Sequence, residues 1–139
     1  MTFAPSWTPD PDRVAGANLN RLFDAAAERH GLAFSGDPAA DYETLHGWSV
    51  ADPGAFWALV WDVVGVAGDR GDRLVEPGDR LREHRFLPDA TLNVAENLLR
   101  EPSDDLALIF RGEDGEAVDV TRAELHDLVA RIQVLLRDA

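Results

Sequence analysis

The most informative segment of this chain is residues 52–65, which reads DPGAFWALVWDVVG. Asp52 is a favourable helix N-cap and Pro53 is tolerated in the first turn, so together they mark the start of a helix. Large apolar side chains then recur at helical spacing, at Phe56, Trp57, Val60, Trp61 and Val64. Gly65 supplies the stop signal. We predict a helix over Pro53–Val64 that anchors the hydrophobic core, because aromatic side chains bury the largest areas.

Two more helices are predicted on the N-terminal side of this segment. Asp10 or Asp12 can cap a helix that runs to about His30 and ends at Gly31. A shorter helix is predicted over residues 41–48, with its first aspartate as the cap.

The C-terminal part of the chain combines a hairpin with an amphipathic helix. Residues 106–111 and 117–120 are apolar runs separated by a Gly-Glu-Asp-Gly turn, which predicts a β-hairpin. Thr121 and Glu124 then form a capping box at the start of a helix over Arg122–Arg137. The aliphatic stripe of this helix consists of Leu125, Leu128, Val129, Ile132, Leu135 and Leu136. Because the pattern continues almost to the last residue, we expect the natural protein to extend further.

The middle of the chain is less regular. Residues 66–84 are rich in glycine and in alternating Asp and Arg, which predicts a loop with one short strand near Leu74. Asn93 and Glu96 have the spacing of a capping box for a helix over residues 94–100. These elements predict an α+β fold in which helices dominate, with a small antiparallel hairpin and no complete parallel sheet.

Composition excludes several classes of function. The chain has 139 residues and a net charge of −13, with 26 acidic residues opposed by 13 arginines and no lysine. This balance disfavours nucleic-acid binding and attachment to anionic membranes. The absence of cysteine excludes disulfides and thiolate chemistry, and the absence of lysine excludes lysine-dependent catalysis. With no signal-peptide pattern and no apolar run of about 20 residues, we expect a cytoplasmic location.

Candidate chemical motifs are weak throughout the chain. The histidines (His30, His46, His84 and His126) lack metal-site spacing, and Asp69, Asp72 and Asp79 do not match a calcium loop. The glycines at positions 65, 68 and 71 follow a helix, so they do not form a phosphate-binding turn, and no serine lies in a nucleophile elbow. We therefore assign no catalytic, cofactor-binding or metal-binding residue to this chain.

Two clusters leave alternatives open. Arg80, Arg82 and Arg85 fit a clamp for a carboxylate or phosphate, or ordinary pairing with Asp79, Glu83 and Asp89. The aromatic residues Trp48, Phe56, Trp57 and Trp61 fit a ligand platform or, as their helical spacing favours, the core.

A set of short motifs recurs in a fixed order along the chain. They are DYE at 41–43, LHGWSV at 45–50, DP at 52–53, FW at 56–57, VWD at 60–62, FLPDA at 86–90, LNVAEN at 92–97 and TRAEL at 121–125. In this order and spacing they resemble the N-terminal region of AMP-forming acyl-CoA synthetases, above all the acetoacetyl-CoA synthetase branch. The resemblance covers nearly the whole chain, from Trp7 to the final helix.

The resemblance implies a function for a longer, full-length protein. That protein would convert acetoacetate or a similar short carboxylic acid, ATP and CoA to acyl-CoA, AMP and pyrophosphate through an acyl-adenylate. It would use ATP, Mg²⁺ and CoA, and the family's catalytic motifs would lie downstream, so this fragment itself would not be catalytic. A synthetase for another short-chain acid, and a stand-alone noncatalytic interaction or dimerisation module, are the alternatives.

The resemblance also implies a domain division. Residues 1–103 would be the N-terminal helical region, and residues 104–139 the first hairpin and helix of a truncated adenylating domain. The remainder of that domain is then the expected partner. Because a chain of this length cannot cover all of its apolar faces, self-association is a second expectation.

Overall fold

The structure is a computed structural model that describes residues 7–137. Its contacts divide the chain into two compact units, one ending at Thr91 and the other beginning at Leu92. The resemblance predicted a different boundary, between residues 103 and 104, where the adenylating domain of a longer protein would begin. That boundary stays a prediction. The α+β class is confirmed, since helices dominate and the strands form small antiparallel pairs.

The first unit contains four helices followed by an irregular layer. The helices are α1 (Pro11–Ala15), α2 (Asn18–His30), α3 (Pro38–Ala51) and α4 (Pro53–Val64). The layer contains β1 (Gly68–Asp69), β2 (Val75–Glu76), a 3₁₀ turn (Leu81–Glu83), β3 (Arg85–Phe86) and β4 (Thr91–Leu92), whose second residue begins the second unit. β2 and β3 pair antiparallel, with Glu76 opposite Arg85.

The helix predicted over residues 10–30 is divided into α1 and α2. Asp10 caps α1 as expected, but the chain leaves the helix at Gly16 and Ala17. The side-chain amide of Asn20 donates to the carbonyls of Val14 and Ala15 at 2.8 and 2.9 Å. A side chain thus satisfies carbonyls that a continuous helix would have bonded internally, which stabilises the break.

The helix predicted over residues 41–48 is longer at both ends. Asp37, about one helical turn before the expected cap, accepts from the Ala40 N–H at 2.8 Å and caps α3. Asp52 terminates α3 and also caps α4 by accepting from the Ala55 N–H at 3.0 Å. The bounds of α4 match the prediction, and its C-terminal Gly65 is left-handed with φ 70°.

The core of the first unit lies among α2, α3 and α4. Each of these helices contributes one fully packed residue: Ala26, Leu45 and Leu59 respectively. Leu59 was not among the apolar positions expected to face inward, whereas the expected Trp57 and Val64 are 42% and 60% exposed. Because α4 is apolar around most of its circumference, its pattern predicts a helix without showing which face is buried.

The second unit contains a helix, a hairpin and a second helix. They are α5 (Val94–Leu99), β5 (Leu106–Arg111), β6 (Ala117–Thr121) and α6 (Arg122–Arg137). The hairpin pairs antiparallel, with Ile109 opposite Asp119 and an irregularity near Leu106. The capping box is formed, since the Thr121 N–H donates to Glu124 and the Glu124 N–H donates to the Thr121 hydroxyl, at 2.8 and 3.2 Å. Within residues 92–137 no side chain is fully buried.

No helix in the described part of the chain combines the length and apolarity needed to cross a bilayer.

Candidate functional site

An arginine–carboxylate pair ties together the irregular layer of the first unit. Arg73 donates from Nε and Nη2 to the two carboxylate oxygens of Asp89, at 2.9 and 2.6 Å. This bidentate geometry is the strongest that an exposed ion pair adopts. The hydrogen bonds from Arg73 lower the pKa of Asp89 below its ordinary value, and those to Asp89 raise the pKa of Arg73. The pair joins two segments that share no regular secondary structure.

The basic cluster lies beside this pair. Arg85 Nη1 lies 3.6 Å from Glu76 Oε2, because the β2–β3 register sets these residues opposite one another. The Arg80 backbone N–H donates to Glu83 at 3.2 Å. The ion pair with Glu76 favours the pairing interpretation for Arg85, although with an acid other than those expected, whereas the contact of Arg80 is made by its backbone N–H and does not decide between the two interpretations. The hydrogen bonds of Asp89 go to Arg73 rather than to this cluster.

Asp41 orders a loop from within a helix. Predicted as a cap, it instead lies inside α3 with 8% of its surface exposed. Its carboxylate accepts from the backbone N–H groups of Ser35 and Gly36 at 2.6 and 2.9 Å, and from the Ser35 hydroxyl at 2.9 Å. These hydrogen bonds, that of the Ser35 backbone first, lower the pKa of Asp41. Both oxygens of the carboxylate therefore accept hydrogen bonds from the loop before α3, and these bonds hold that loop in place.

The serines are not arranged as nucleophiles. The hydroxyls of Ser35, Ser49 and Ser103 donate to Asp41, to the His46 carbonyl and to Asp105 respectively. None of these described hydroxyls bonds an imidazole ring, so none forms a Ser–His pair. Ser6 lies outside the described residues.

The histidines are dispersed over both units. The His84 ring lies 3.1 Å from the Arg80 carbonyl, and the His126 ring lies 3.9 Å from the Asp127 carboxylate. His46 stacks on Tyr42, and His30 lies against Trp48 with ring centroids 4.8 Å apart. Within residues 7–137 no three His, Asp or Glu side chains come together as a metal site.

The aromatic residues form a row on the first unit. Ring centroids are 6.0 Å apart between Trp48 and Phe56, 5.3 Å between Phe56 and Trp57, and 6.0 Å between Trp57 and Phe86. Trp48 packs against the core, whereas Trp57 and Phe86 are each about two-fifths exposed. The core interpretation therefore holds for Trp48, and the row emerges at the surface at Trp57.

The second unit has an open groove of about 400 Å³ between α5 and α6. Its polar lining includes Glu96, Arg100, His126 and Gln133, and it contains no serine, threonine, cysteine or lysine. The groove thus lacks a nucleophile of the kinds that form covalent intermediates through a hydroxyl, thiol or amine.

Sequence reasoning missed two of the ion pairs. The Arg73–Asp89 pair joins residues 16 positions apart in an irregular segment, for which no periodic signal exists. The pair between Arg111 and Asp119, at 2.5 and 3.2 Å, spans the hairpin, where residues near one another in register could have suggested it. Both pairs hold loops or strands together.

Comparison with known proteins gives a consistent set of relatives. No family model and no solved structure matches the chain. An acetoacetyl-coenzyme A synthetase of Rhizobium meliloti is 44% identical over 133 residues, which is 96% of this chain and 20% of that relative. An acetoacetyl-CoA synthetase of Macaca fascicularis is 30% identical over 92% of this chain and 19% of its own length. A hexanoyl-CoA synthase of Cannabis sativa is 26% identical over similar shares.

The similarity inferred from the short motifs is therefore confirmed, and it extends over nearly the entire chain. The chain spans about one fifth of the length of these curated relatives.

Proposed function

We propose that this chain is the N-terminal portion of an AMP-forming acyl-CoA synthetase that acts on acetoacetate. The observation that carries the proposal is the 44% identity to an acetoacetyl-coenzyme A synthetase over 96% of the chain. In the proposed reaction a carboxylate oxygen attacks the α-phosphorus of ATP, and pyrophosphate leaves. The CoA thiol sulfur then attacks the acyl carbon, AMP leaves, and the thioester is formed.

The chain's own contribution would be structural. The charged groups described above hold loops, strands and helix ends, and the hydroxyls of Ser35, Ser49 and Ser103 donate to groups within six residues of them in the chain. ATP, Mg²⁺ and CoA would be bound by the remainder of a longer enzyme in the cytoplasm. Among residues 7–137 no three His, Asp or Glu side chains come together around a metal position, and the ligands of the Mg²⁺ would come from the rest of the longer enzyme.

The first experiment is the intact mass of the native polypeptide in its source cell. We expect a mass several times 15.2 kDa, because the relatives are about five times as long as the matched segment. A native mass near 15.2 kDa would contradict the enzyme proposal and would favour a stand-alone interaction or dimerisation module.

The second experiment identifies the acid. The purified native protein is assayed for AMP release that depends on ATP, CoA and one of acetoacetate, butyrate or hexanoate. We expect acetoacetate to give the highest kcat/KM. A preference for hexanoate would contradict that substrate and support the alternative of another short-chain acid, which the hexanoyl-CoA synthase relative favours. The recombinant 139-residue chain is the matched control and is expected to release no AMP.

A further inference from the structure

The turn that joins β5 to β6 contains an aspartate followed by a glycine, Asp114 and Gly115. This step occurs once in the sequence, since every other aspartate and every asparagine precedes a residue with a side chain. Two backbone hydrogen bonds close the turn. The Gly112 N–H donates to the Glu116 carbonyl at 2.7 Å, and the Gly115 N–H donates to the Gly112 carbonyl at 3.1 Å.

The carboxylate of Asp114 is folded back over its own backbone. Its Oδ1 accepts from the Glu116 N–H at 3.1 Å, and this amide follows the Gly115 amide directly along the chain. Both Asp114 and Gly115 are exposed. Gly115 has φ 87°, and a methyl group added there would meet no atom within 4 Å. Neither a Cβ nor a neighbouring side chain therefore shields this side of Gly115.

We propose that the bond between Asp114 and Gly115 is a site of spontaneous modification, at which the aspartate is converted to isoaspartate. The Gly115 nitrogen attacks Cγ of the Asp114 carboxyl group in its acid form, and an N–Cγ bond forms. The carboxyl hydroxyl leaves with the amide proton as water, which gives a cyclic imide. Water then opens the imide. Cleavage of the N–Cγ bond restores aspartate, whereas cleavage between the nitrogen and the main-chain carbonyl carbon leaves the chain linked through the side chain.

Opening of the turn controls the reaction. The hydrogen bond from Gly115 to Gly112 occupies the attacking amide while the turn is closed. Over residues 92–137 no side chain is fully buried, so local openings of this hairpin cost little free energy. The folded chain therefore exposes the reactive step repeatedly.

Asp119, in the same hairpin, lacks these properties. Both of its carboxylate oxygens accept from Arg111, at 2.5 and 3.2 Å. It lies opposite Ile109 within the paired strands, and the β-branched side chain of Val120 crowds the amide that would have to attack. Modification is therefore expected at Asp114 and not at Asp119.

The product would loosen the hairpin. An isoaspartyl linkage adds one carbon to the main chain within the turn, so the Gly112–Glu116 hydrogen bond and the adjacent pairing of Arg111 with Ala117 would no longer fit. Because hairpin register depends on loop length, we expect backbone amides of β5 and β6 to exchange several-fold faster in the modified chain. The inference does not depend on the proposed enzymatic function.

Peptide mapping of the aged 139-residue chain tests the proposal. The folded chain is kept at neutral pH and physiological temperature for several weeks and is then digested with trypsin, which cuts after arginine. One peptide, residues 112–122, contains both Asp114 and Asp119, and electron-transfer fragmentation distinguishes aspartate from isoaspartate at each position. We expect about tenfold or more isoaspartate at Asp114 than at Asp119. Equal or undetectable amounts at the two positions would overturn the proposal.

Two variants separate the effect of the turn from that of the local sequence. Gly115→Asn adds a side chain beside the attacking nitrogen, yet asparagine tolerates a positive φ better than most residues do. It should lower the isoaspartate at Asp114 by about tenfold. Ala25→Gly creates a second Asp–Gly step at Asp24, inside α2, where the helix bonds the amide of residue 25 internally.

In the Ala25→Gly variant we expect Asp24 to be modified about tenfold less than Asp114, because a helix in the first unit opens less often than the turn. Circular dichroism checks that both variants keep their helices. Comparable modification of Asp24 and Asp114 would show that the sequence of the step, and not the exposed turn, determines the reactivity. An unchanged amount of isoaspartate in Gly115→Asn would contradict attack by this nitrogen.

Discussion

At the scale of single residues, Asp41 shows how a carboxylate inside a helix can order the loop that precedes it. Its three short hydrogen bonds to Ser35 and Gly36 satisfy donors that the loop cannot pair internally. The bonds are stronger to the ionised form, which is why they lower the pKa of Asp41 below its ordinary value of 3.8. The stabilisation is therefore present above that ordinary value and is lost as the pH falls through the depressed pKa.

The variant Asp41→Asn tests this linkage. We expect Tm at pH 7 to fall by roughly 5 °C, because an amide of the same shape offers one acceptor oxygen instead of two. The difference between wild type and variant should shrink as the pH is lowered below 4, which thermal unfolding at several pH values would measure. The control Asp24→Asn removes the same charge from an exposed position on α2 and should leave Tm nearly unchanged. A difference that stays constant with pH would contradict the argument.

Leu59 is a second residue with a distinct role, which is to fill the core of the first unit. It is 2% exposed and packs among α2, α3 and α4. We expect Leu59→Ala to lower the free energy of unfolding by about 2–5 kcal/mol, the sum of the lost transfer energy and the cavity. Val64→Ala, on the same helix at a 60% exposed site, should cost about 0.5 kcal/mol or less. Urea denaturation of both variants measures the difference, and equal costs would contradict the placement of the core.

At the scale of elements, prediction succeeded where the signal was local. Helix α4 and helix α6 have the predicted bounds because each combines a cap with a continuous apolar pattern. The break between α1 and α2 was missed because it depends on the side chain of Asn20 returning to earlier carbonyls. The interactions at the candidate site show the same contrast between local and non-local signals. The capping box of Thr121 and Glu124 could be predicted from adjacent residues, whereas the Arg73–Asp89 pair forms only when the irregular layer has folded and could not be predicted.

Helix ends offer a test at this scale. Gly31 ends α2 with φ 68°, whereas Gly47 lies within α3, and an added methyl group would meet no atom within 4 Å at either position. The same substitution should therefore have opposite effects for backbone reasons alone. We expect Gly31→Ala to destabilise the protein by about 1 kcal/mol and Gly47→Ala to stabilise it by about 0.5–1 kcal/mol. Denaturant midpoints would show this, and changes of the same sign would contradict it.

At the scale of the whole molecule, the two units differ in what stabilises them. The first unit has a buried core, whereas the second, over residues 92–137, has no fully buried side chain and relies on the hairpin register, the capping box and the Arg111–Asp119 pair. Exposed ion pairs and caps contribute little compared with apolar burial.

Hydrogen exchange should therefore distinguish the units. We expect backbone amides of α5, β5, β6 and α6 to exchange at least tenfold faster than those of α2 and α4. Partial unfolding of the second unit exposes little buried apolar surface, so it costs little free energy. Mass spectrometry of peptides from the exchanged chain measures this. Equal protection in the two units would show that the second unit is stabilised in a way its burial does not reveal.

Asp52 joins α3 to α4 as a single residue, ending one helix and capping the next. The joint therefore has no spare length. One inserted or deleted residue at this point would turn the whole of α4 by about 100° about its axis, which would carry Leu59 out of the core and bring a different side of the helix inward. Exposed turns usually tolerate changes of length, but here the number of residues determines which side of α4 faces the core. Relatives that share this core should therefore align across the joint without gaps.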